Sequence, residues 1–424
     1  MQTQSQRHDT RRVVVTGIGA ISPLGLDIKT TWEALINSQS GVAPITRFDT
    51  SKLPVQVACE VKGFDAKQFI DPKEIRRSDL YELYAVAAAK MAVEDAKLTI
   101  NAENADDVGV VVGSSVGGFT TMLSQHDVLM QQGPRRVNPF VIPMVMSNGA
   151  AGMVSIQLGA QGPCYSAASA CATSNDCLGQ ATELIRRGAA KVMISGGADA
   201  TVAPLGMVGF DQIGALSHDM VLPSKSPKPF DKHRDGLVMG EGACVMVLED
   251  LDHALQRGAT ILAEIIGFGQ TADAHHVIAP AEGGTGAIKA MKKALAQAAD
   301  FGVAREDIGY ISAHGTATPL NDITETIAVK HVFGDYAYKI PMSSIKSMTG
   351  HMMGATGSLE AASCIYAINT GIVPPTRNLT EPDPQCDLDY VPQEARQHQV
   401  NVAMNNSFGF GGHNSVVIFR KFDG

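Results

Sequence analysis

One cysteine, two histidines and a glycine-rich turn carry most of the chemistry this chain can offer. Cys171 stands in SACATSND, a run of small side chains where a strand-like stretch gives way to a helical one. A free thiol with a pKa of about 8.5 is mostly protonated at neutral pH, so a nucleophilic cysteine needs help. The first turn of a helix offers it, through unpaired N–H groups and the positive end of the dipole. The same pattern suits a small buried core residue, and the residues alone leave both readings open. Cys177 lies deeper in the helix and is expected to pack; Cys164 lies in the preceding strand. His314 ends the strand-like IGYISA and enters GTATP, and His351 sits in KSMTGHMMGATGS just before a helix. Each is either a hydrogen-bonded structural residue or a ring that donates to a developing oxyanion and handles a proton near pH 7. Lys346 precedes His351 by five positions and Glu360 follows it by nine, a spacing that would let a Lys–Glu pair hold the turn. In NNSFGFGGHN, Gly409, Gly411 and Gly412 leave Phe410 free to swing and its N–H free to meet a substrate oxygen. The alternative is a plain strand-joining turn.

These residues need elements to position them. β-branched runs alternate with helical segments, the pattern of an α/β fold with largely parallel sheets. RRVVVTGIGAISP, DVGVVVGSSVGG and AAKVMISGGADA form one series; ILAEIIGFGQTADA, IGYISAHGTATP, IPMSSIKSMTGH and NVAMNNSFGFGGHNSVVIF form a second in the same order. We infer a duplicated unit with halves at residues 1–258 and 259–424. In that alignment the turn holding Cys171 corresponds to the turn from Lys346 to Gly354. The two would face each other across a crevice at the carboxyl ends of strands, where α/β folds bind ligands. The polar, proline-bearing SHDMVLPSKSPKPFDKHRDG (217–236) is expected to be a surface loop.

The bulk properties exclude several classes. With 424 residues and a net charge of −9, the chain does not suit general nucleic-acid binding. The polar MQTQSQRHDTRR and the short VVVTGIGAI show neither a signal-peptide layout nor a membrane span, so a cytoplasmic location, or an organelle after loss of a targeting segment, is expected. Seven scattered cysteines without C-x-x-C argue against a structural metal or disulfides. GIGAISPLG places Ser22 at the third fingerprint position, so the dinucleotide motif fails, and no P-loop occurs.

Taken in order, GPCYSAASACATS, KPFDKHRDGLVMGEGA, AHGTATPLND, SSIKSMTGHMMGATGSLEA and NNSFGFGGHN resemble the motif set of the elongating type II β-ketoacyl-acyl-carrier-protein synthases, over essentially the whole chain. The resemblance implies a thiolase-like fold of two α/β halves in αβαβα layers and a homodimer. It implies Cys171 as the acyl-accepting nucleophile. His314 and His351 would stabilise the enolate formed when malonyl thioester loses CO2, with Lys346 and Glu360 in support. Phe410 would gate the acyl pocket and form the oxyanion hole with the Cys171 amide. Thr316 and Thr318 match positions contacting the phosphopantetheine arm, and Val116 and Phe210 match positions lining the acyl channel. Lys73, Arg76, Arg77, Arg135 and Arg136 match a docking patch for acyl- or malonyl-loaded carrier protein, and complementary charge makes an acidic partner sensible; read without the resemblance, such a cluster is a solvated face. The family needs no cofactor of its own, since phosphopantetheine arrives on the carrier, and no nucleic acid, membrane or metal is expected.

Two features depart from the pattern. Ser174-Asn175-Asp176 replaces residues common among relatives, and an acid so near the cysteine would alter helix packing or the thiol pKa. Gly214 stands where some relatives carry a basic docking residue. Among rivals, a degradative thiolase is expected to carry a second cysteine where this chain has NNSFGFGG, and initiating enzymes use Cys-His-Asn. A chain-length-factor-like partner lacks the cysteine; a ketosynthase of a type II polyketide pathway shares the whole set.

Overall fold

A computed structural model describes residues 11–219 and 223–424; residues 1–10, which hold most of the polar N-terminal stretch, and residues 220–222 of the expected loop lie outside the described residues. Ten strands form one sheet: β1 (Val13–Ile21), β2 (Val108–Gly113), β3 (Cys164–Tyr165), β4 (Val192–Asp199), β5 (Gly242–Asp250), β6 (Ala263–Ala272), β7 (Tyr310–Ser312), β8 (Met342–Ser343), β9 (Val402–Gly409) and β10 (His413–Arg420). Their order is β8-β7-β9-β10-β6-β1-β5-β4-β2-β3. Counted outward from the centre, each half therefore reads first, fifth, fourth, second, third. The same strand order and the same pairing directions recur on both sides of the centre. The halves join through the antiparallel rows Val13–Ile265, Val14–Glu264 and Val15–Ala263.

The sheet is not largely parallel, contrary to expectation. Five of its nine pairings are antiparallel. The reason is local in the second half: β9 and β10 are joined by the tight turn at Gly409–His413, which can produce only an antiparallel pair. Parallel pairing is confined to the outer strands of each half.

Helix α1 (Leu80–Asp95), capped by Asp79 with Glu82 reciprocating, covers β1, β5 and β4. Helix α3 (Thr285–Asp300) covers β6 and β10. Between the two halves of the sheet lie α2 (Thr173–Arg186) and α5 (Thr356–Thr370), each touching strands of both halves. The layers thus run helix, sheet, helix pair, sheet, helix. The G-x-G of β1 finds its purpose here: a Cβ on Gly19 would stand 2.0 Å from Ala88 O of α1. Gly269 of β6 meets Ala290 O of α3 at the same 2.0 Å. The motif lets an alanine-rich helix lie on the strand backbone; it has nothing to do with a dinucleotide.

The expected surface loop at 217–236 is partly buried instead. Phe230 is fully covered and stacks on Tyr390 with ring centroids 3.9 Å apart. Asp231 accepts from the amides of Thr380 (2.8 Å) and Glu381 (2.9 Å), and Phe230 N donates to Asp322 of α4 (Pro319–Phe333) at 2.7 Å. Part of its polar composition satisfies backbone groups of the second half, while Lys232 and His233 stay exposed.

Candidate active site

After β3 the chain turns through Ala170, whose φ of 51° lies in the left-handed region, into a 3-10 turn Ala170–Ala172 and then α2. Such a conformation costs an alanine about 1–2 kcal/mol; Ser169 N, donating to Thr173 Oγ1 at 2.9 Å, helps to hold it. The turn delivers Cys171 into a cavity of ≈ 440 Å³.

His314 follows β7. Its amide and that of Gly315 donate to the two carboxylate oxygens of Glu325 on α4 at 2.9 and 2.8 Å. Its carbonyl accepts from Lys346 Nζ at 2.5 Å, and that ammonium also pairs with Glu360 of α5 at 2.5 Å. His351 is fixed by its backbone: its amide donates to Val238 O and its carbonyl accepts from Gly240 N, both at 2.7 Å. Met353 N donates to His351 Nδ1 at 3.2 Å, and Thr356 Oγ1 lies 3.0 Å from the same atom. A neutral ring that accepts at Nδ1 carries its proton on Nε2. That Nε2 lies 2.9 Å from Cys171 Sγ. The two imidazoles meet edge to face at 5.7 Å, and the sulfur and one nitrogen of each ring lie within 4.8 Å of one another. Residues 171, 314 and 351 share one cavity.

Burial governs the protonation states. It holds both imidazoles well below their ordinary value, and the Lys346 charge pushes the same way. Both rings are neutral donors at physiological pH. Burial pushes the Cys171 thiol up to about 11, against Lys346 and the amides of Phe410 and Cys171 itself. The expected lowering by the helix terminus is therefore overridden: the thiol is 8% exposed, and desolvation of a sulfur anion outweighs the dipole. Glu325 and Glu360 are each raised to about 7, burial again coming first. A thiol and two neutral imidazoles are also a ligand set for a soft cation, but the Lys346 ammonium against the His314 carbonyl places a positive charge beside that position.

The other expected positions divide. Phe410 stacks on Phe210 with centroids 6.2 Å apart at the cavity wall. Thr316 and Thr318 line it with their hydroxyls 2.9 Å apart. Gly214 stands at its edge with φ 68° and open space beside it. Val116 is 49% exposed and is not among the residues lining the cavity, so within the single chain it does not meet Cys171. Lys73, Arg76, Arg77, Arg135 and Arg136 are all exposed, and two contacts draw their segments together: Asn138 Nδ2 donates to Arg76 O at 3.3 Å, and Arg77 lies over Phe140 at 4.6 Å. Asp176 is buried against Ser169, Ser415 and Gln270; its charge bears on Cys177, while Lys346 and Asp199 bear on Cys171. Cys177 packs in the core as expected, and Cys164 lies on the sheet's edge strand. Sequence reasoning missed Glu325 and Thr356. Only the position of Glu325 on the helix after GTATP hinted at its aim.

Residues 10–254 match the family described as β-ketoacyl synthase, N-terminal domain, and residues 262–380 match β-ketoacyl synthase, C-terminal domain. A Synechocystis protein named 3-oxoacyl-[acyl-carrier-protein] synthase 2 is 47% identical over 98% of this chain and 99% of its own length. A Coxiella burnetii protein of the same name is 47% identical over 98% of this chain and all of its own. Among solved structures, a β-ketoacyl synthase from Burkholderia phymatum superposes with a TM-score of 0.90 at 35% identity, covering 97% of this chain and 100% of that one. The ishigamide ketosynthase/chain length factor gives 0.90 at 37% identity, with the same coverage.

Proposed function

Because this chain belongs to the β-ketoacyl synthase family, we propose that its cavity joins an acyl group on Cys171 to a two-carbon unit from malonyl-acyl carrier protein. It is a 3-oxoacyl-[acyl-carrier-protein] synthase, an acyltransferase of fatty-acid elongation. The observation that carries the residue roles is the meeting of one sulfur and one nitrogen of each of two imidazoles within 4.8 Å on the wall of a cavity that also holds Thr316 and Thr318.

In the first step Cys171 sulfur attacks the acyl thioester, and the thiol proton leaves with the phosphopantetheine thiol. The proton need not be shed beforehand, which suits a thiol raised to about 11. The amides of Cys171 and Phe410 hold the oxyanion, each donor worth about 3 kcal/mol. In the second step malonyl thioester loses CO2, and the electron pair of the broken bond becomes an enolate. Neutral His314 and His351 donate to its oxygen; two neutral rings can lie this close where two imidazolium ions would repel. The enolate carbon then attacks the acyl carbonyl, the C–S bond breaks, and Cys171 recovers a proton from solvent. Lys346 and Glu360 keep the His314 turn in place. None of these steps requires a redox group, and the phosphopantetheine travels on the carrier.

The exposed basic residues at 73, 76, 77, 135 and 136 support docking of an acidic carrier protein. A homodimer belongs to the same reading: β3 is the sheet's end strand, and Ile142, Ile156 and Tyr165 beside it are exposed, an apolar face that a second copy would cover. Residues 1–258 and 259–424 are read as the two halves. Among the described residues no helix is long and apolar enough to cross a membrane; a cytoplasmic location is proposed from that and the seven free cysteines. The test is incubation with acyl- and malonyl-carrier protein and mass spectrometry of the peptide holding Cys171. An acyl adduct on that thiol, lost in Cys171→Ala along with condensation, is the expected result; a folded protein without the adduct overturns the assignment.

A further inference from the structure

The turn that carries Cys171 has a counterpart. Ala170 (φ 51°) opens Ala170–Ala172, followed by Thr173 and α2; Met353 (φ 50°) opens the 3-10 turn Met353–Ala355, followed by Thr356 and α5. A left-handed residue leading into a right-handed turn aims successive backbone N–H groups to one side and forms a small anion-binding hollow. In the duplicated fold Gly354 corresponds to Cys171, and Asp199, the last residue of β4, corresponds to Gly409, the last of β9. Each turn faces the strand end of the opposite half. A Cβ on Gly409 would stand 3.0 Å from Cys171 N, and one on Gly354 would stand 2.7 Å from Asp199 Oδ2.

The first hollow opens to the cavity. The second is filled by the chain's own carboxylate. Gly354 N donates to Asp199 Oδ2 at 2.6 Å, and Ser115 reaches the same oxygen with its amide (3.1 Å) and hydroxyl (2.6 Å). Ser114 Oγ accepts from Gly117 N at 2.8 Å and so donates to Asp199 Oδ1, 2.5 Å away. Asp199 is fully buried; burial raises its pKa, while every one of these partners is a donor that opposes the rise, the arrangement an ionised carboxylate takes.

We propose that Asp199 is a positioning residue for His351, holding the Met353–Gly354 segment so that Met353 N–H keeps the ring's acceptor side occupied and its Nε2–H aimed at the reacting atoms. A left-handed methionine persists only where its surroundings over-determine it. Asp199 supplies that determination one peptide away from the Met353 amide. It also places a negative charge near the thiol, opposing Lys346. The inference rests on the decarboxylative reading above.

The test uses the full-length protein and three measurements: CO2 release from malonyl-carrier protein, acylation of Cys171, and the pH profile of iodoacetamide alkylation of that thiol, which Lys346, Asp199, His314 and His351 face. Asp199→Asn is nearly isosteric and removes the charge. It is expected to lower CO2 release roughly 10- to 100-fold, the cost of a displaced catalytic group, to leave acylation nearly unchanged, and to move the alkylation profile to lower pH. Gly354→Ala keeps the charge but wedges a methyl group against Asp199 Oδ2; it should lower CO2 release without moving the profile down. If Asp199→Asn leaves CO2 release intact, or acylation falls in parallel with it, the proposal is wrong. A parent protein that releases no CO2 would overturn the function instead.

Discussion

Gly409→Ala tests the geometry of the proposed oxyanion hole directly. Gly409 is the last residue of β9 and lies between the Cys171 turn and Phe410. Its φ is not in the left-handed region, so the substitution introduces bulk without backbone strain. The new Cβ would meet Ser169 O at 2.6 Å, Cys171 N at 3.0 Å and Ala170 Cβ at 3.3 Å. Two of these are backbone atoms and cannot swing aside. Ordinary contact begins near 3.4 Å, so the strand end and the turn must part by about 0.8 Å. That movement separates the two amides proposed to bind one oxygen. Losing one such donor costs about 10²- to 10³-fold in rate, whereas overpacking of this size costs about 1–3 kcal/mol of stability, which a chain of this length tolerates. The assay is the rate of Cys171 acylation by acyl-carrier protein, compared with alkylation of the same thiol by iodoacetamide, which needs no oxyanion hole. Slowed acylation with near-normal alkylation is expected. A folded variant that acylates at the parent rate would refute the placement of the oxyanion hole.

Other outcomes follow from the same structure. Gly19→Ala drives a methyl group to within 2.0 Å of the Ala88 carbonyl and should lower the melting temperature by separating α1 from β1, without altering the pH profile of the enzyme. Glu249 is held down at about 2: burial opposes this, but Arg257, His253 and Thr16 donate to the carboxylate and win. A depressed folded pKa stabilises above pH 4.5 and fades as pH falls toward 2, so Glu249→Gln should cost about 3 kcal/mol in neutral urea melts, a difference that closes on acidification through that window. Reversing Arg135 and Arg136 to Glu should raise KM for carrier-protein substrates and reduce its salt dependence, with little change toward a small thioester; an unchanged KM would move the docking face elsewhere.

Much of this protein is legible in its residues because the determinants are local. The strand, glycine turn and helix order repeats along the chain, and the same strand order recurs on both sides of the sheet's centre; the small-residue run around Cys171 and the glycines of NNSFGFGG mark places where backbones approach closely. The Lys346–Glu360 pair follows from spacing along one turn and helix. Local pattern failed where pairing or burial is set at a distance. Periodicity cannot tell a parallel strand from an antiparallel one, so the sheet's mixed directions were missed. A polar, proline-rich composition looked like a surface loop, but Phe230 and Asp231 find their partners some 150 residues further along the chain.

The chain alone determined which groups are available for chemistry and the repeated strand, turn and helix order that carries them. The tertiary fold decided their protonation and their company. It brought Cys171 within 2.9 Å of a ring 180 positions away, and it buried that thiol deeply enough to reverse the effect expected of a helix terminus. It also set Asp199 and Glu325 behind the two histidine turns. Desolvation and through-space hydrogen bonding depend on what surrounds a group on every side, and a linear sequence records only its two chain neighbours.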